Sequence, residues 1–98
     1  MTFEEWLNAQ EYAANTISSQ LSRIDRIRRA YPDLDESFER DAFSSLLREF
    51  AYSRRDEKDG LKNPTRLLID GNIYHSLATY RATLGRYLKY KQGDHIGI

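Results

Sequence analysis

The chain has 98 residues, 40% apolar and 31% charged, with fifteen basic residues balanced by fifteen acidic ones. That length suits one domain with one core, and the composition is that of a globular chain, not a disordered one. The lack of cysteine excludes disulfides, thiolate metal sites and a cysteine nucleophile; no apolar run approaches the ~20 residues of a membrane span and the N-terminus has no export signal, so a cytoplasmic protein without a membrane partner is expected.

The first predicted helix opens at Thr2, where a Thr N-cap with Glu5 three positions on forms a capping box and Phe3, Trp6 and Leu7 supply an apolar face; it is expected to end near Tyr12. The second begins at Asn15 or Thr16 and runs to Ala30, with Ile17, Leu21, Ile24, Ile27 and Tyr31 stepping along one side before Pro32 stops it. Asp33 to Asp35 reads as a turn into a third helix, whose start suits Asp35, Glu36 and Glu39 and whose inner side carries Phe38, Ala42, Phe43, Leu46, Leu47 and Phe50.

From 53 to 63 the periodicity fails, and this charged stretch before Pro64 is expected to be a mobile surface loop. Arg66 to Ile69 reads as more loop with its apolar residues tucked inward, since a lone strand would have no partner. The last helix is the best specified, with Asn72 as N-cap and Ile73, Leu77, Tyr80, Leu84, Tyr87 and Leu88 along its inner stripe. Lys89 and Lys91 complement its negative end, and Gly93 can cap it. The prediction is therefore an all-α fold, a compact four-helix bundle over residues 1–92 with a charged loop before the last helix and a flexible tail over 93–98.

Little in the chain supports chemistry. His75 falls opposite the apolar stripe of its helix and His95 lies in the tail, so neither is poised as a base or a ligand. The acidic cluster Asp33, Asp35, Glu36, Glu39 and Asp41 lacks the central glycine and closing glutamate of a calcium loop, and reads as charge at a helix start. The five glycines fall in no phosphate-cradling pattern. No enzyme activity, metal, cofactor or small-molecule substrate is expected.

Charge placement says more than net charge. Residues 1–14 and 32–41 carry −3 and −4, whereas residues 15–31 and 73–98 carry +3 each. The second and last helices are thus the basic ones. Side by side, their outer faces would present Arg26, Arg29, Arg86 and Lys89 beside Tyr74, Tyr90 and several hydroxyls, a composition suited to phosphate contacts. The same residues would also serve simply to offset helix dipoles and form i, i+4 pairs. Arg28 and Arg81 sit next to the apolar stripes, where they either snorkel over the core edge or make a functional contact.

The segments Ile17-Ser-Ser-Gln-Leu-Ser-Arg-Ile24 and Leu77-Ala-Thr-Tyr-Arg-Ala-Thr-Leu-Gly-Arg-Tyr-Leu88 resemble the helical N-terminal domain that precedes nuclease or ATPase modules in bacterial restriction-type proteins. That domain is similar in turn to the SAM-like core-binding domain of tyrosine recombinases, a four-helix module that grips DNA beside a separate catalytic domain. The resemblance spans roughly Tyr12 to Lys91 and implies a non-catalytic DNA-binding accessory or targeting module, with Arg81 and Arg86 as its matched contacts and a fused nuclease or ATPase as a partner. The alternative is a protein-interaction or dimerisation domain in which Tyr74, Tyr90 and the acidic first segment meet a partner protein.

Overall fold

Thr2 starts the first helix by the reciprocal bonding its spacing predicts: the Glu5 N–H donates to Thr2 Oγ1 at 3.1 Å and the Thr2 N–H to Glu5 Oε1 at 2.8 Å. In the computed structural model, which describes residues 1–93, this helix is α1 (Phe3–Ala9), two to three residues shorter than expected. The left-handed Glu11, φ 63°, then turns the chain into α2 (Ala14–Ala30), which begins without a side-chain cap and ends where Pro32 forces Tyr31 out of the helical region. The expectations for His95 and for the tail beyond Gly93 lie outside the described residues.

Two expectations fail in the middle of the chain. The single third helix is instead two, α3 (Leu34–Asp41) and α4 (Ser44–Glu49), broken by Ala42 and Phe43 in left-handed conformations with φ 52° and 64°. Such a conformation costs ~1–2 kcal/mol for a residue with a Cβ. It is offset here because the break lets Phe43 and Phe50 bury almost completely, at 0% and 1% exposure. Asp41 spans the break: its Oδ2 accepts from the Ser45 N–H at 3.2 Å and from the Ser45 hydroxyl at 2.7 Å, capping α4 from the preceding helix.

The charged stretch expected to be loop holds a short helix, α5 (Arg54–Lys58), with no buried residue. A capping box between Ser53 and Asp56 starts it, and ion pairs Arg54–Glu57 at 3.1 Å and Arg55–Asp59 at 3.7 Å brace it. The segment is also tied down. Tyr52 donates its hydroxyl to the Leu61 carbonyl at 2.6 Å, and the Asn72 side-chain amide donates to Glu57 at 3.0 Å. Beyond it, Leu67 is buried as the inward tuck requires, but Leu68 is fully exposed. The last helix, α6 (Ile73–Lys91), keeps its expected bounds, with the Asn72 side chain accepting from the His75 N–H at 2.8 Å. The described residues thus form six helices and no strand, so the all-α class holds while the count of four does not.

The two long helices, α2 and α6, form the central pair and α1 lies against both. Ile17, Ile24 and Ile27 of α2 meet Leu77, Leu84 and Tyr87 of α6 in one core that also takes in Phe3, Trp6 and Leu7. Leu21, Leu47, Tyr80 and Leu88, expected in the core, are only partly buried and pack at its edge. Tyr87 is the junction of the small helices: its ring meets Phe3 edge-on at 5.2 Å and Phe43 at 6.0 Å. Its hydroxyl accepts from Arg28 at 2.7 Å and donates to Asp35 at 3.1 Å.

The break between α3 and α4 has a direct test. Ala42→Gly should leave stability unchanged or raise it by up to ~1 kcal/mol, because glycine has no left-handed penalty. The same change at Ala78, exposed within α6, should destabilise by ~0.5–1 kcal/mol. Denaturant melts of both variants check this, and an equal loss at the two positions would contradict a left-handed Ala42.

Candidate functional site

Ser18, Ser22, Arg26 and Arg29 recur at helical spacing on the side of α2 away from its isoleucines, so burying Ile17, Ile24 and Ile27 necessarily turns them outward. There the outer edge of α6 comes alongside and leaves a groove. Its first part, about 540 Å³, takes Ser18, Ser19, Ser22, Arg23 and Arg26 from α2 and His75, Ser76, Thr79 and Tyr80 from α6. Arg26 and Tyr80 also line the second part, about 380 Å³, together with Arg29, Ala30, Arg66, Leu67 and Leu68. The two parts share Arg26 and Tyr80 and so adjoin at that pair, forming a channel in two parts.

Every charged residue that lines this channel is cationic; no carboxylate does. Arg26 donates to the Tyr80 hydroxyl at 3.1 Å, a bond that holds the guanidinium where the two parts adjoin and raises its pKa above the ordinary value. Arg29 is tethered to Asp25 on its own helix at 2.7 Å, with most of its side chain still in solvent. Arg66 comes from the loop and is placed by Tyr31: its backbone N–H donates to the Tyr31 hydroxyl at 2.9 Å, and its guanidinium lies 4.9 Å from the centre of that ring. Burial pushes the Tyr31 phenol well above its usual pKa, keeping it protonated as the donor to Glu49 at 2.7 Å. The loop cannot shift without breaking that chain.

Of the five cations expected to contact nucleic acid, the channel brings together Arg26 and Arg29. Arg86 lies near the other end of α2, where it donates to the Tyr12 hydroxyl at 3.3 Å and covers that ring at 5.1 Å. Tyr12 and Arg29 are separated by nearly the whole of α2, ~25 Å at 1.5 Å per residue. Arg81 and Lys89 are exposed, line neither part of the channel, and have no ion-pair or hydrogen-bond partner among the described residues. Arg23 and Arg66 join the site unexpectedly. Arg23 carried a signal, since it precedes Arg26 by three residues on the same helix; Arg66 carried none, because only the tertiary contact with Tyr31 brings it there.

The other flank of α2 is structural. Arg28 bonds Tyr87 and Asp35, the latter at 3.4 Å, which settles its position beside the stripe as a tie between α2, α3 and α6. Lys91 reaches the same carboxylate at 3.5 Å. Partial burial opposes ionisation of Asp35, but the Tyr87 hydrogen bond and the charges of Lys91 and Arg28 outweigh it and hold the pKa below the ordinary carboxylate value. The rest of the acidic cluster is dispersed. Asp33 lies 4.0 Å from Arg66 and Asp41 caps α4, and no group of three or more His, Asp or Glu among the described residues could hold a metal ion. No helix among them is long and apolar enough to cross a membrane. No protein-family model, curated protein or solved structure matches the chain.

Because the folded pKa of Asp35 is depressed, its stabilising contribution is present above the unfolded value of ~3.9 and is lost as pH falls through the folded value. Asp35→Asn should therefore lower the melting temperature at neutral pH and flatten its fall between about pH 5 and pH 2. Parallel melting curves for the two proteins across that range would count against the Tyr87–Asp35–Arg28 tie.

Proposed function

We propose that this protein is a non-catalytic nucleic-acid-binding module that grips the phosphate backbone in the channel between α2 and α6. The observation that carries this is the lining itself: four arginines, Arg23, Arg26, Arg29 and Arg66, with the hydroxyls of Ser18, Ser22 and Ser76 and no carboxylate, while Ser19 and Thr79 donate theirs to carbonyls of their own helices. Guanidiniums bind phosphate oxygens in pairs, and hydroxyls donate to them without reading base identity. The balanced total charge is no obstacle, because the local field is set by the channel: Asp25 and Asp33 approach Arg29 and Arg66, but Arg23 and Arg26 have no carboxylate partner among the described residues. An accessory role beside a nuclease or ATPase module, in the manner of a SAM-like core-binding domain, follows from the resemblance carried by Ile17–Ile24 and Leu77–Leu88. Within that role Arg81, Arg86 and Lys89 would form a separate contact area on α6.

The competing protein-interaction reading relied on Tyr74, Tyr90 and the acidic first segment. Tyr90 packs against Phe3 at 5.5 Å and Trp6 at 6.4 Å and donates to the Met1 carbonyl at 2.7 Å. Tyr74 lies beneath the Arg54 guanidinium at 4.1 Å. Both rings are thus engaged within the chain, and the charge of the channel favours the nucleic-acid reading.

DNA titrations over a range of salt concentrations test the proposal. Affinity should be measurable at low salt and fall steeply as salt rises, with a log–log slope near −3 to −4 if each of the four arginines releases about one counterion. Arg23→Gln and Arg26→Gln should each weaken binding and reduce that slope by about 1. Binding that is absent at low salt, or indifferent to salt, rules the proposal out.

A further inference from the structure

The two parts of the channel differ in chemistry, and the difference bears on which form of nucleic acid fits. The first part offers hydroxyls and the cations Arg23 and Arg26. The second sets Ala30, Leu67, Leu68 and the Tyr80 ring among three guanidiniums. An occupant complementary to both has anionic groups along one stretch and a flat apolar face beside them. That is the chemistry of a nucleotide whose base is unstacked.

We infer that the channel takes single-stranded nucleic acid, with backbone phosphates along Ser18–Arg26 and a base turned into the recess between Leu68, Tyr80 and Arg66. The assignment rests on the nucleic-acid reading above and narrows it. At about 380 Å³ the recess lies within the range of small-ligand pockets, and a nucleobase is among the smaller ligands that such pockets hold. A duplex keeps its base faces stacked inside and presents only edges and phosphates, so it can use the first part but not the second without unstacking. Guanidinium planes and apolar side chains hold any base by its face, which predicts tolerance of sequence.

Leu68 is the residue that marks the recess. The chain on either side of it is held, Arg66 through Tyr31, Leu67 by burial at 6% exposure and Ile69 by packing against the core, yet Leu68 itself is fully exposed. Asn63 holds this presentation by donating from its side chain to the Leu67 carbonyl at 2.7 Å. Leu68 contributes nothing to the core and can be exchanged without loss of the fold.

The test measures binding of labelled oligothymidylate, an abasic strand of the same length and a hairpin duplex to the wild type, Leu68→Ala and Leu68→Phe, at one low salt concentration. The wild type should bind oligothymidylate roughly tenfold or more tighter than the abasic strand or the duplex. Leu68→Ala should remove most of that margin and Leu68→Phe preserve or increase it, while both variants hold the abasic strand and the duplex as the wild type does. Equal wild-type affinity for all three ligands, or an unchanged margin in Leu68→Ala, overturns the inference while leaving backbone binding in place. Failure of all three to bind removes both.

Discussion

The arrangement depends on how α2 crosses α6, and that crossing is pinned by one buried hydrogen bond. Thr83 donates its hydroxyl to the Gln20 side-chain oxygen at 2.8 Å, with the two residues 0% and 3% exposed in an otherwise apolar contact. A buried amide oxygen without a donor costs ~1–3 kcal/mol, so sliding or rotating one helix on the other is penalised in a way that isoleucine against leucine would not be. On the two flanks Arg26 meets Tyr80 and Arg28 meets Tyr87. Hydrophobic burial holds the pair together, and these polar contacts select its register.

The channel follows from that register. With Ile17, Ile24 and Ile27 turned inward, the Ser18–Ser22–Arg26–Arg29 line must face outward beside the first turns of α6. The loop before α6 lines the far part because Tyr31, at the C-terminal cap of α2, receives the Arg66 N–H. Structure and candidate function therefore share their supports: Tyr31 in the core and Tyr80 at its edge have hydroxyls that position arginines. Arg28, by contrast, spends its charge on Tyr87 and Asp35 and belongs to the scaffold.

Where chain order and periodicity determine structure, the sequence was legible. Capping residues, apolar stripes and Pro32 set the start of α1, the end of α2 and both ends of α6, because those signals act within a few residues of one another. The α3–α4 break was not legible, since Ala42 and Phe43 take left-handed conformations that glycine or asparagine would have advertised. Phe43, Leu46 and Phe50 fit one continuous stripe as well as two short ones. The Ser53–Asp56 capping box was visible, but a five-residue helix has no apolar face to confirm it. Gln20 and Thr83 are invisible to a binary pattern, which counts polar residues as surface. Arg66 reaches the site through a contact 35 residues away in sequence, which no local pattern encodes.

A double-mutant cycle on Gln20 and Thr83 measures whether this bond sets the register of α2 on α6. Stability would be measured by denaturant unfolding for Thr83→Val, Gln20→Leu and the two combined. Thr83→Val should cost ~1–3 kcal/mol by orphaning the Gln20 oxygen, and the double variant should be more stable than the two single losses would sum to, by ~0.5–3 kcal/mol. Strict additivity would mean that the two side chains are not coupled, and that the register of α2 on α6 is set by something else.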